Sequence, residues 1–599
     1  MNRLILKSLE HPVKKKTEKQ TNRPIDEAPA SPGRRTFVGG IASLSAASLF
    51  ATPIAHSQNA TSVSRSRVSA QLSASDATTI TETTTGKLRG YRRNGIYTFK
   101  GVPYGASTSG TRRFMPPAKP EPWAGVRNAL QYGRVCLNRD SAHFITDGHN
   151  SASSDEDSFV LHRGAAAPVM GEDCLRVNVW TPEINGTHKR PVMVFMHGGG
   201  YTSGNAHELL SYDGENLARN HDIVTVTNNH RLNVFGYLNL ASLGGKEFAE
   251  SANVGLLDLV AVLEWVRDNI VNFGGDPNNV TIFGQSGGGG KVLALMAMPA
   301  AKGLFHRAIV QSGPYLKVLP PEYSARVAEL VLKELGLSPS QVDQLQQVSV
   351  DRLEGAGVEA IKKMPDIEGS PLRRSFGLSG WGPTADGLVL PQHPFDPAAP
   401  AISASVPMIT GTNLNEFING VDRPNANSMS LAELHRLIQQ GLGDKSQAII
   451  EAYRRDYPKA NPFSLYATIA ASSVRHGSFE QARRKAALHS APVYSYIYSW
   501  RTPVLDDRPG PFHAAELAFV FDNADICDHY SAGSPEASAL SRQMSTAWVN
   551  FARTGNPNHN SIPHWPEYTA ENPATMYFNT PCEVRIDAEG EGLRLIAHT

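Results

Sequence analysis

The sequence predicts an α/β fold around a largely parallel sheet, and three observations carry that prediction. Short apolar runs alternate with stretches of helical spacing, glycine-rich loops stand directly after two of those runs, and the composition is that of a globular chain. With 41% hydrophobic and 19% charged residues, it lies far from the low-hydrophobicity, high-charge signature of disorder. Strands that take turns with helices need crossover connections, which make neighbouring strands parallel and cover both faces of the sheet. The strand-like runs fall at 192–196, 223–227, 280–283, 308–311, 406–410 and 493–500, with helical spacing over 254–270 and 291–298. In such sheets ligands bind beyond the carboxyl ends of the strands, so the loops after these runs are the places to search.

The N-terminus reads as separate from that body. A polar, Lys-rich stretch runs to Gly33, followed by Arg34-Arg35-Thr36-Phe37-Val38 and a weakly apolar run to about residue 55. Basic region, apolar region and the small residues of Ala55-His56-Ser57 predict a twin-arginine-type signal peptide over 1–57, and hence an exported protein, periplasmic or secreted. A membrane anchor is the competing reading, but Gly39, Gly40 and three serines make the run a poor span. Residues 58–80, rich in Ser, Ala and Thr, predict a disordered spacer. The remainder, 81–599, shows no second linker and no internal repeat, so 599 residues resolve into one long body rather than several average domains.

Charge narrows the partners. Residues 1–57 hold nine Lys/Arg against four Asp/Glu, net +5, which leaves the rest at −4. A slightly acidic body without a basic tract excludes nucleic acid as the main partner. Four cysteines rule out a disulfide-dense scaffold, and the chain has no CxxC pair for structural zinc.

Two loops carry chemistry. Gly284-Gln285-Ser286-Gly287-Gly288 stands between the run at 280–283 and the helix predicted over 291–298. A Gly-x-Ser-x-Gly turn from strand to helix lifts the serine hydroxyl into a site, and the helix N-terminus behind it favours developing negative charge. A phosphate-binding loop is excluded by the wrong spacing, because Gln285 stands where its first glycine belongs and Val292 where its Ser/Thr belongs. The second loop, His197-Gly198-Gly199-Gly200-Tyr201, caps the strand run that ends at Met196. Successive glycines let backbone N–H groups approach a bound carbonyl, which predicts an oxyanion hole of Gly199, Gly200 and Gly287.

An activated serine needs a base, held by an acid, in the chain order Ser, Asp/Glu, His. Ten histidines follow Ser286. His513 lies in a loop after the strand run at 493–500 and before a predicted helix, where this architecture places its base. His306, His435 and His489 fall in helical-looking stretches. For the acid, Glu416 follows the run at 406–410, with Asp386 as its competitor.

These motifs, taken in order, resemble the type-B carboxylesterase/lipase family of α/β-hydrolases, in particular its bacterial para-nitrobenzyl-esterase-like members. The resemblance runs from about Gly86 to Val584 and rests on further segments: Phe99-Lys-Gly-Val-Pro-Tyr104, the stretch from Gly171 to Trp180, Asn253 to Asp258, Asn272 to Pro277, Gln311-Ser-Gly313 and Trp548 to Pro557. It implies Ser286 as nucleophile, Glu416 rather than Asp386 as the orienting acid, His513 as general base and Ser312 as a serine near the acid. It further implies ion pairs of Arg113 with Glu172 and Arg231 with Asp258, and a disulfide between Cys136 and Cys174. A second bridge between Cys527 and Cys582 is an expectation without a family counterpart. The activity implied is hydrolysis of uncharged carboxylic esters through an acyl-enzyme, with a small-molecule substrate and no metal or organic cofactor. An amidase, lactonase or carbamate hydrolase would share the triad, and neuroligins show that this fold can also serve binding alone.

Two departures stand out. Gln285 replaces the Glu that many relatives, cholinesterases among them, carry before the serine. Between Cys136 and Cys174 the aromatics are only Phe144 and Phe159, with no Trp to hold a choline head by cation–π attraction. No preference for choline esters is expected.

Overall fold

The computed structural model describes residues 71–138, 168–364 and 380–597. The expected signal peptide, residues 58–70 of the spacer, Phe144 and Phe159 lie outside that range. Residues 71–80 differ from the spacer expectation. Ser73 exchanges backbone hydrogen bonds with Arg92 at 2.9 and 2.7 Å, and a strand begins at Ile80, so the folded body reaches back to Ser73.

Fourteen strands occur among the described residues. In the first half they are β1 (Ile80–Thr83), β2 (Gly86–Arg89), β3 (Tyr91–Arg93), β4 (Ile96–Pro103), β5 (Val126–Asn128), β6 (Arg176–Thr181) and β7 (Arg190–Met196). The others are β8 (Val224–Asn229), β9 (Gly275–Gln285), β10 (Arg307–Gln311), β11 (Met408–Asn413), β12 (Val493–Tyr498), β13 (Ala574–Phe578) and β14 (Glu583–Ile586). A small sheet joins β1, β2 and β5, while the large one runs β14-β13-β12-β11-β10-β9-β7-β8-β6-β4-β3. From β8 across to β13 every pairing is parallel. The edges are antiparallel, β8 to β6 to β4 to β3 on one side and β13 to β14 on the other.

The central strands read as continuous apolar runs because both faces are covered. Along β7, Val192, Val194 and Met196 enter one core with Val226, Ile282 and Val310. Met193 and Phe195 point the other way, into a core with Phe283, Ile309 and Ile409. This is the two-residue alternation of a strand. Helix α1 (Val254–Asn269) closes the first face with Leu256, Leu259, Leu263 and Val266. A later helix, Pro535–Thr554, closes the second with Leu540, Met544, Trp548 and Phe551. Each such side chain, fully buried, contributes about 1.5–3 kcal/mol.

Buried ion pairs lock the flanks. Arg231 grips Asp258 with two guanidinium bonds of 2.8 and 2.7 Å, and its main-chain N–H adds a third at 3.0 Å. Arg113 holds Glu172 in the same forked way, at 2.7 and 2.8 Å. Among the described residues no helix is long and apolar enough to cross a membrane. Because the central pairings are parallel, the carboxyl ends of β7, β9, β10, β11 and β12 lie along one edge of the sheet.

Candidate active site

β9 ends at Gln285, and helix α2 (Gly287–Ala297) starts two residues later. Ser286 makes the turn alone, at φ 58° and ψ −125°. A non-glycine residue there costs about 1–3 kcal/mol unless its surroundings hold it. They do. Its N–H donates to the Gln311 carbonyl at the end of β10, 2.8 Å away, and its own carbonyl accepts from Gly290 at 3.2 Å. The flanking glycines are required by backbone, not by side chains: a methyl on Gly288 would be driven into the Met196 carbonyl oxygen, and one on Gly284 would lie 2.5 Å from the Gly288 carbonyl.

The glycine loop after β7 lies against this elbow. Gly199 and Gly200 have φ of 79° and 61°, the left-handed region that favours glycine. The Gly200 main chain packs on Gly287, leaving no room for a Cβ there, and a methyl on Gly198 would lie 3.4 Å from the Ser286 Cβ. Inside the loop, His197 Nδ1 stands 2.9 Å from the Gly198 carbonyl. A carbonyl only accepts, so Nδ1 carries the proton. Burial, with Lys291 adding to it, holds His197 well below the usual histidine range.

On the other side of the elbow stands a carboxylate–imidazole pair. Glu416, fully buried at φ 49°, takes His513 Nδ1 on Oε2 at 2.5 Å. Its Oε1 accepts from the Ser312 hydroxyl at 2.8 Å and from the Asn413 N–H at 2.9 Å. The loops themselves are tied, since the His513 N–H donates to the Glu416 carbonyl at 2.8 Å. The Phe417 ring lies over the imidazole, centroids 4.1 Å apart. With Nδ1–H given to Glu416, the remaining lone pair is on Nε2, and the Gln285 amide nitrogen approaches it at 3.1 Å. Gln285 thus links the serine elbow to the carboxylate–imidazole pair.

Of the residues predicted from sequence, Glu416, His513 and Ser312 are joined by hydrogen bonds, while Ser286, Gly199, Gly200 and Gly287 form one glycine-lined seam. Asp386 serves elsewhere: it accepts from the Asn253 side chain at 2.8 Å and from the Leu388 and Leu390 N–H groups at 3.0 and 2.9 Å. His435 is helical as expected. His306 instead lies in the loop before β10 and His489 in the turn after the helix Ser472–Ala486, at φ 48°.

The two expected disulfides are not formed in the structure. All four cysteines are free thiols. Cys136 and Cys174 do meet, and the hydrogen bond to Cys136, together with burial, pushes the Cys174 thiol well up, but no bridge joins them. Cys582 faces the Asn579 carbonyl at 3.4 Å and Gln543 at 3.5 Å. Burial pushes Cys527 up to about 12. Cys527 and Cys582 are likewise unbridged.

Three contacts escaped sequence reasoning: Gln285 on His513, the buried Glu516 beneath the pair, and Lys291 behind the glycine loop. Glu516 accepts from the Asn413 side chain at 2.5 Å and from the Gln311 side chain at 3.1 Å. Its place three residues after His513 was the one available signal. Among the described residues no group of three His, Cys, Asp or Glu side chains is arranged to hold a metal ion.

A parallel sheet with a serine elbow after one central strand, a glycine loop after its neighbour and a carboxylate–imidazole pair at the next strand ends defines the α/β-hydrolase class. Residues 77–593 match the model of the carboxylesterase family, and the chain belongs to that family. It is 34% identical over 517 residues to the para-nitrobenzyl esterase of Bacillus subtilis, covering 86% of this chain and 97% of the relative. It is 29% identical over 510 residues to the phenmedipham hydrolase of Pseudarthrobacter oxydans, covering 83% and 94%. Among solved structures, an esterase from Clostridium hathewayi, described as hydrolysing aliphatic aromatic polyesters, superposes with a TM-score of 0.74 at 33% identity, covering 88% of this chain and 99% of that one. The protein is an enzyme that hydrolyses carboxylic esters.

Proposed function

We propose that Ser286, His513 and Glu416 carry this hydrolysis, by acyl transfer on uncharged esters. The observation that supports it most is the fully buried Glu416 holding His513 Nδ1 at 2.5 Å beside the serine elbow. In the first half-reaction the Ser286 oxygen attacks the ester carbonyl carbon while His513 Nε2 takes its proton. The carbonyl oxygen gains the negative charge and is held by the N–H groups of Gly199, Gly200 and Gly287, where each such donor contributes about 2.7–4 kcal/mol to the transition state. Collapse breaks the bond to the alcohol oxygen, which leaves with the proton from His513. Water then repeats the sequence on the acyl-enzyme, releasing the acid and restoring the serine. Glu416 fixes the proton on Nδ1 and stabilises the imidazolium that forms at each stage.

The test is hydrolysis of a p-nitrophenyl ester series, acetate to palmitate, by the wild type and by Ser286→Ala. Loss of turnover in the variant is expected, and the chain-length optimum sizes the acyl pocket. A variant that keeps more than one hundredth of the wild-type rate overturns Ser286 as nucleophile. Butyrylthiocholine is expected to give no kinetic advantage over an uncharged ester of similar size.

Export completes the proposal. Residues 1–57 act as a twin-arginine signal, delivering a folded body to an oxidising compartment, where the adjacent thiols of Cys136 and Cys174 close into a disulfide after transport. Replacing Arg34 and Arg35 by Lys is expected to retain the protein in the cytoplasm. Thiol counting on the exported form is expected to find two fewer free cysteines than in the reduced protein.

A further inference from the structure

Behind the elbow stands a charge that acyl transfer, as described, does not use. Lys291 is the fifth residue after Ser286, in α2, and is wholly buried. Its Nζ donates to the His197 carbonyl at 2.9 Å, and among the described residues no carboxylate forms an ion pair with it. Burial brings its ammonium down to about 7, opposed by the charge of Glu208. From the loop after β7 it faces the His197 ring and the Tyr201 ring, the latter with its centroid 5.7 Å away. From the end of β8 it faces His230, whose ring stacks on His197 at 4.6 Å. Burial and the Lys291 charge hold both histidines well below their ordinary range, so below about pH 7 the positive charge of this cluster is on Lys291.

The bond falls at a telling place. His197 is the first residue of the glycine loop, and its carbonyl is tied inward by Lys291. The next carbonyl, of Gly198, is tied by the His197 ring at 2.9 Å. In a planar trans peptide the N–H points opposite to the C=O of the same unit. Holding the Gly198 carbonyl on one side therefore aims the Gly199 N–H to the other, and a hydrogen bond accepted at a carbonyl strengthens the donor on the same amide.

We propose that Lys291 is a positioning residue of the oxyanion loop: from the helix that begins at Gly287, it clamps the His197 carbonyl and so fixes the residue whose ring ties the Gly198 carbonyl and aims the Gly199 donor. This rests on the reading of Gly199, with Gly200 and Gly287, as the oxyanion hole. The lysine occupies the spot at a cost in stability, since a buried ammonium without an ion-paired carboxylate is unfavourable and a side chain of similar length without charge would be easier to bury.

That opposition supplies the test. Lys291→Met is expected to melt at a higher temperature than the wild type, yet to lose at least tenfold in kcat on a p-nitrophenyl ester with KM changed less than twofold. Lys291→Gln, which can still donate to the carbonyl, is expected to recover part of kcat. The ratio of wild-type to Lys291→Met activity is expected to shrink between pH 6 and pH 9, as the wild-type ammonium loses its proton. Ser286→Ala is assayed alongside: if it is inactive while Lys291→Met keeps kcat within twofold, the clamp is overturned and the catalytic reading stands. If Ser286→Ala stays active, that reading fails first. A lower melting temperature in both lysine variants, with activity falling in step, assigns Lys291 to stability alone and likewise overturns the clamp.

Discussion

Two buried carboxylates flank Asn413, and only one of them is hydrogen-bonded to an imidazole. Glu416 is met by the Asn413 main-chain N–H, the Ser312 hydroxyl and the His513 ring. Glu516 is met by two neutral amides, the side chains of Asn413 and Gln311. Both are withdrawn from solvent. Neutral amides compensate a buried charge less well than a ring that becomes a cation, and burial, reinforced by the charge of Glu416, pushes the Glu516 carboxyl up to about 7. Burial near a histidine is thus not what makes a carboxylate an acid partner. On the proposed mechanism, it is the partner's ability to take up charge during the reaction.

The comparison breaks first, if it breaks, at Glu416→Gln. An amide there favours the wrong tautomer of His513 and leaves the imidazolium without a counter-charge, so kcat is expected to fall about 10⁴-fold. A fall below tenfold, measured on the same p-nitrophenyl ester, would pass the role to Glu516. Ser312→Ala sharpens the comparison at smaller scale. It removes one of three donors to Glu416, a charged-group hydrogen bond of about 1.5–3 kcal/mol, and about a tenfold loss in kcat is expected with KM unchanged.

Glu516→Gln is the smallest effect on turnover, within about threefold, and its signature lies in stability. The folded chain keeps the Glu516 proton up to about pH 7, whereas an ordinary Glu releases it near 4.5. Between those values the folded state binds more protons than the unfolded one, so this group's contribution to stability falls as pH rises through the window and is level above it. Glutamine removes that slope. The melting temperature of Glu516→Gln relative to wild type is expected to rise between pH 4.5 and pH 7.5, and thermal unfolding across that range checks it. A constant difference would mean that Glu516 ionises as an ordinary surface carboxylate does.

Much of this arrangement is legible along the chain, for a physical reason. A serine that must turn at positive φ between strand and helix, and donors that must reach a carbonyl without side chains, leave local glycine patterns at 198–200 and 284–290. Central strands such as β7 and β12 announce themselves as largely apolar runs. Edge strands do not. All three residues of β5 are exposed, and the β3–β4 hairpin carries its signal in the turn, Asn94-Gly95 at φ 51° and 85°, rather than in its strands. Contacts such as Gln285 with His513, 228 residues apart, or Gln311 with Glu516, 205 apart, have no local pattern, because they depend on which strand ends the topology brings side by side. His306 shows the opposite failure. An apparently helical stretch is broken by Gly303 at φ 80°, and the chain turns there to enter β10.

The glycine seam also bears on how such an enzyme can change. At Gly284 and Gly288 the obstacle to a side chain is main chain, of Gly288 and Met196 respectively, which no rotamer can vacate. At Gly290 it is the Tyr201 hydroxyl and the Tyr315 ring, both 2.7 Å from where a Cβ would stand, and side chains can be exchanged together with the residue that displaces them. Laboratory selection for new esters should therefore find the elbow frozen at 284 and 288 but open to paired change at 290 with 201 or 315. The adaptable packing behind the elbow starts one helical turn from Ser286.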